Sequence, residues 1–159
     1  MHRYVLALLI VASPFSAFAA EPPKEGSYDY TSCWSGVNNV ITFSKTHTAS
    51  SYEMTGAIRS NPPGGMFDKH TFRCVGMNAS LDGKNTGSTV CEAIDVDGDK
   101  RLAYFSNGDG KETRTQVAGT GKYEGMVATG TVENLGGFPA IKDGTFQNCN
   151  HQTGTYKLK

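Results

Sequence analysis

Cys74 and Cys91 stand at equal distances from the dipeptide Asp82-Gly83, and that symmetry constrains the chain more than any other local feature. Asp-Gly is a two-residue hairpin turn, because type I′ geometry needs positive φ at both positions and matches the twist of the flanking strands. A turn there makes residues whose numbers sum to 165 face one another, and 74 and 91 are such a pair. They fall at a non-hydrogen-bonded position, where opposing Cα atoms lie about 4.5 Å apart, within disulfide reach. Four cysteines allow three pairings, and this one leaves Cys33 with Cys149, joining the first strand to the last. The apolar alternation agrees: Val75, Met77, Ala79 and Leu81 share a face, and Val90 and Ile94 land on it across the turn. No C-x-x-C or C-x-x-H spacing occurs, which argues against a metal site at the cysteines.

Disulfides require an oxidising compartment, and the N-terminus reads as the route to one. Met1-His2-Arg3 is a short basic start, followed by an apolar run from Tyr4 to Ala12 that Ser13-Pro14 breaks. Ala17-Phe18-Ala19 then offers small side chains to a signal peptidase. Residues 1–19 are therefore expected to be a signal peptide cleaved near Ala19, since the run is too short to span a bilayer. Residues 20–159 form one domain, secreted or periplasmic, with no later stretch apolar enough to cross a membrane. Fifteen Lys and Arg balance fifteen Asp and Glu, and loss of Arg3 leaves one excess negative charge. Such a balance provides no field for nucleic acid or an anionic membrane surface.

Turn dipeptides recur along the domain, among them Asn61-Pro62-Pro63-Gly64-Gly65, Asp97-Gly98, Asn107-Gly108-Asp109-Gly110 and Gly136-Gly137. Between them lie short alternating stretches rich in Thr, Ser, Val and Tyr, which read as strands. Eight or nine are expected, near 27–34, 38–47, 50–60, 69–81, 84–96, 99–106, 111–118, 125–134 and 145–158. A meander this long must hide its edges, and closing into an up-and-down antiparallel β-barrel does so, with Cys33–Cys149 as the latch. A two-sheet sandwich needs longer crossings than these turns offer.

Gly119-Thr120-Gly121-Lys122-Tyr123-Glu124-Gly125-Met126-Val127-Ala128-Thr129-Gly130 is the most distinctive stretch, a glycine-lined bend entering the strand that follows. It resembles the G-T-G-K-[YF]-x-G-x-x-G segment of the allene oxide cyclase and dirigent-like barrels. The resemblance implies an eight-stranded barrel with a ligand-sized interior, in a family whose plant members isomerise or steer the coupling of hydrophobic molecules, and it allows a homo-oligomer. It covers about a dozen residues, and the family's acidic catalytic residues find no counterpart here. Walker chemistry is excluded because Lys122-Tyr123 leads into a strand.

Chemistry-bearing motifs are sparse. Asp95-Val96-Asp97-Gly98-Asp99 looks like the start of a calcium loop, but Lys100 and Ser106 occupy the positions an EF-hand gives to Gly and Glu. It reads instead as a hairpin turn. His47, His70 and His151 fall at strand ends without a nucleophile elbow and read as solvated or hydrogen-bonded residues. Asn78-Ala79-Ser80 is a sequon placed mid-strand. The loop carrying Met66 and Phe67 reads as a lid or a hairpin cover. The functional hint is the supply of large side chains on strand faces. Tyr28, Tyr30, Trp34, Tyr52, Met54, Met77, Met126 and Tyr156 are the candidate lining of a pocket for a small hydrophobic or aromatic molecule. The leading expectation is non-catalytic binding with no cofactor and no metal. An isomerase or cyclase using Tyr, Asp or Glu as proton carriers is the first rival, and a protein-binding module or inhibitor of an exported enzyme the second.

Overall fold

The computed structural model describes residues 23–108 and 110–159; the expected signal peptide lies outside them. Eight strands form one antiparallel sheet: β1 Glu25–Thr42, β2 His47–Ser60, β3 Thr71–Leu81, β4 Lys84–Ile94, β5 Lys100–Gly108, β6 Lys111–Gly119, β7 Val127–Phe138 and β8 Thr145–Lys157. A single 3-10 turn, Gly121–Tyr123, lies between β6 and β7. No helix among the described residues is long and apolar enough to cross a membrane.

Both disulfides join the expected cysteines. Cys74 pairs with Cys91 across β3 and β4, whose turn holds Asp82 at φ 53° and Gly83 at φ 78°. Cys33 pairs with Cys149 across β1 and β8. The strands expected at 27–34 and 38–47 are one: β1 runs unbroken through Gly36 and turns only at residues 43–46, and β7 runs on to Phe138, past its expected end at 134. Gly36 marks a close approach rather than a turn. A Cβ there would sit 2.5 Å from both the Phe146 ring and the Glu53 carbonyl. The same device recurs across the concave face, where Phe72 lies over Gly56 and Tyr52 over Gly76 on the neighbouring strand. An inward aromatic covering a cross-strand glycine fills the pleat the glycine leaves bare.

The sheet is an open half-barrel, which corrects the expectation of closure. Strand order is β6-β5-β4-β3-β2-β1-β8-β7, so β1 and β8 do pair, and the seam falls between β6 and β7. Ladder pairing requires strands roughly 4.8 Å apart, and the link between these two folds inward instead. Its 3-10 turn buries Tyr123 and delivers buried Met126 to the core. Each edge carries a bulge, at Leu102/Ala103 where β5 meets β6 and at Asn134/Gly137 where β7 meets β8. Bulges and charged residues blunt open edges against pairing with other chains. Side chains reach past the seam: Arg114 on β6 donates from Nη1 to Tyr28 Oη on β1 at 3.1 Å and to Gln152 Oε1 on β8 at 3.4 Å.

The core fills one end of the half-barrel. Tyr28, Tyr30, Ile58, Tyr123, Met126, Tyr156 and Leu158 pack around Phe67. Phe67 is 1% exposed, so its loop supplies a plug rather than the expected lid or cover. Asp68 pins that loop by accepting the backbone N–H of Ser60 and of Gly64, each at 3.0 Å.

The glycine-rich bend meets the Asp95–Asp99 turn, and together they explain both motifs. Lys122 Nζ lies 2.7 Å from Asp95, 2.6 Å from Asp97 and 3.9 Å from Asp99. The turn's carboxylates thus surround an ammonium that the chain itself provides. Gly121 is required there: at φ 53° it lies so close to the Asp99 carboxylate that a Cβ would overlap it. Burial raises the Asp95 pKa, but Lys122, the Tyr123 hydroxyl and two backbone N–H groups outweigh it and hold the carboxyl below its ordinary range.

Candidate functional site

Above the core, the concave face encloses a cavity of about 240 Å³. Its walls follow from strand alternation. Even-numbered residues of β1, β2 and β3 point inward and contribute Trp34, Tyr52, Met54, Ile58 and Phe72 as an aromatic and apolar wall. The register of β7 and β8 sets a second, polar wall of Asn134, Asn148, Asn150 and Gln152. Arg101, Ala103, Phe105 and Glu112 from β5 and β6 complete it, beside the Cys74–Cys91 bridge.

Many of the polar groups are bonded to one another. Tyr30 Oη donates to Gln152 Oε1 at 2.5 Å, and Ser32 Oγ to Asn150 Oδ1 at 2.5 Å. Gln152 Nε2 also reaches Asn150 Oδ1 at 3.2 Å, and Tyr52 Oη bonds Thr89 Oγ1. Trp34 and Phe72 meet edge to face with ring centres 6.5 Å apart. Such a network holds the wall in one arrangement, the kind of preorganisation that lowers the ordering cost of binding at any site.

The eight lining candidates divide three ways. Tyr30, Trp34, Tyr52 and Met54 come together around the cavity. Tyr28, Met126 and Tyr156 belong to the core at the plugged end. Met77 lies on the convex face with Val75, Leu81 and Val90, all substantially exposed. Alternation alone identifies two faces of the β3–β4 hairpin without saying which turns inward. The Cys74 face does, because Phe72 and Cys74 join Met54 and Tyr52 there. Sequence reasoning missed Arg101 and Gln152. The usable signal for Arg101 is its place in step with Ala103 and Phe105, two residues apart along β5.

The histidines also part ways. His47 sits 3.4 Å from Asp82, and His151 Nε2 lies 2.8 Å from Asp29 Oδ1. His70 departs from the expectation of a bonded or solvated ring: it is 1% exposed, between Phe67 and Tyr123, and neither ring nitrogen has a partner. Burial first, then the nearby Arg101 charge, lowers its pKa to about 4. The unfolded chain, with an ordinary value near 6.5, binds the proton first on acidification. Stability is therefore expected to fall as pH drops from roughly 6.5 to 4, by roughly 3 kcal/mol at the lower limit. Urea denaturation at several pH values would measure this, and His70→Phe should flatten the slope. His151 acts oppositely, because its bond to Asp29 raises its pKa; its contribution fades as pH rises through that value.

Among the described residues, no group of three or more His, Cys, Asp or Glu side chains is arranged to hold a metal ion. Compared with protein-family models, curated proteins and solved structures, the chain matches none of them.

Proposed function

We propose that this is an exported, disulfide-stabilised protein that binds a small hydrophobic or aromatic molecule on the concave face of its half-barrel, without chemical conversion. The supporting observation is the cavity itself: one wall of aromatic and thioether side chains, one of amides, over a floor packed solid by the Phe67 plug. Concave, largely apolar sites with a few placed polar groups are the usual form of small-molecule pockets. The two disulfides accord with an oxidising compartment. The resemblance of the Gly119–Gly130 segment to ligand-holding barrels points the same way.

An isomerase acting on a bound apolar substrate is the second reading. One observation favours it: Glu112, an exposed residue of β6, borders the cavity, and partial desolvation moves its carboxyl pKa upward.

Trp34 is the only tryptophan of the chain and lines the cavity, so it reports binding directly. Titration with N-phenyl-1-naphthylamine, a neutral apolar probe, should quench Trp34 emission and raise probe emission along one saturable curve. Ala103→Phe, which places a ring in the cavity, should weaken that affinity by about tenfold or more, the equivalent of ~1.4 kcal/mol. An unsaturable response, or one indifferent to Ala103→Phe in a folded protein, would overturn the binding reading.

A further inference from the structure

Arg101 is a buried cation without an anion. Its residue is 4% exposed, and its guanidinium lies over the Phe67 ring at 3.9 Å from the centroid. The Nε–H has no hydrogen-bond partner, and no ion pair among the described residues includes Arg101. Its polar surroundings are the Tyr30 and Tyr123 hydroxyls, the His70 ring and a second cation, Arg114, with no carboxylate among them. An isolated charge held away from water is costly, and a ring face recovers only part of that cost. Arg101 also lines the cavity, at the end nearest the plug.

We infer that Arg101 is the anchor for a carboxylate group carried by the apolar guest. This rests on the binding reading above and specifies the class of ligand: a planar aromatic or apolar monocarboxylate. The acid end enters first, towards the plug, and the ring system lies along Trp34, Tyr52 and Phe72. A guanidinium presents N–H donors in a planar fork that matches a carboxylate. The second cation nearby, Arg114, also has an Nε–H without a partner, but its Nη1 is engaged with Tyr28 and Gln152 and it does not line the cavity, so its contribution is a supporting positive field.

The experiment compares naphthalene-2-carboxylate with its neutral counterpart 2-naphthalenemethanol by Trp34 fluorescence, at one pH above the acid's pKa. The carboxylate should bind the wild-type protein about tenfold or more tightly, the scale of a hydrogen bond to a charged group. In Arg101→Met the ratio of the two affinities should fall to about one, whatever happens to the alcohol's own affinity; Arg114→Met should keep most of the preference. Should Arg101→Met fail to fold, the wild-type Arg101 Nε–Hε NMR resonance serves instead, shifting with the carboxylate and not with the alcohol. Equal affinity of both probes, or an unmoved Arg101 resonance, overturns the anchor and leaves the binding reading intact. Failure of both probes to bind counts against the binding reading itself.

Discussion

Replacing Cys33 and Cys149 together by serine is expected to lower the unfolding free energy by about 4–5 kcal/mol. The cross-link closes a loop spanning 116 residues, almost the whole domain. Cross-link entropy grows with the logarithm of loop length, so the unfolded chain gains most freedom when this bond is lost. The Cys74–Cys91 bond spans 17 residues and should contribute only about 3 kcal/mol. Its hairpin is also nucleated independently by Asp82-Gly83, which narrows the unfolded ensemble further. Urea unfolding of the two double-serine variants decides the matter through the order of their midpoints, the 33/149 variant unfolding first. The opposite order would mean that β1–β8 docking owes little to its cross-link.

Phe67→Ala is expected to destabilise the protein by about 3–5 kcal/mol, the range for removing a buried aromatic ring. Four aromatic rings of the core lie within 6.3 Å of its centroid, those of Tyr28, Tyr30, Tyr123 and Tyr156, and His70 stands at 5.7 Å. The loop that carries Phe67 cannot readily collapse into the void, since Asp68 ties it to Ser60 and Gly64. The residue also adopts φ 72°, a left-handed conformation that alanine tolerates no better, so backbone relief offsets nothing. Removing the ring exposes the face on which Arg101 rests. Thermal denaturation should accordingly show a large loss of stability, and a loss under about 1 kcal/mol would show that the plug is not part of the core.

Much of this architecture was legible because local rules and long-range pairing agreed. The spacing of Cys74 and Cys91 about Asp82-Gly83 determined a turn, a register and a bond together, and the leftover cysteines named the strands that meet around the sheet. Where two physical readings shared one pattern, the residues did not discriminate. The gap expected between 27–34 and 38–47 falls on Gly36, which is instead the bare pleat under Phe146. Val75, Met77 and Val90 alternate as cleanly as a buried face would, while the true inner face is carried by Phe72, Cys74 and Cys91. Closure depends on the distance between β6 and β7, and nothing local in either strand encodes how the Gly121–Tyr123 turn folds inward. Arg101 escaped notice because a lone arginine in a strand is ordinarily a solvated one. Its step with Ala103 and Phe105 puts it on their face, and the register against Ala93 and Gly119 shows that this face is the one turned to the cavity.

The most direct test of the central claim, that the concave face is where a guest sits, is amide chemical-shift mapping during titration with N-phenyl-1-naphthylamine. Shifts concentrated at Trp34, Cys91, Ala103 and Asn150, with Val75, Met77 and Val90 unmoved, are the result this account predicts. Shifts confined to the convex residues, or spread evenly over both faces, would contradict it.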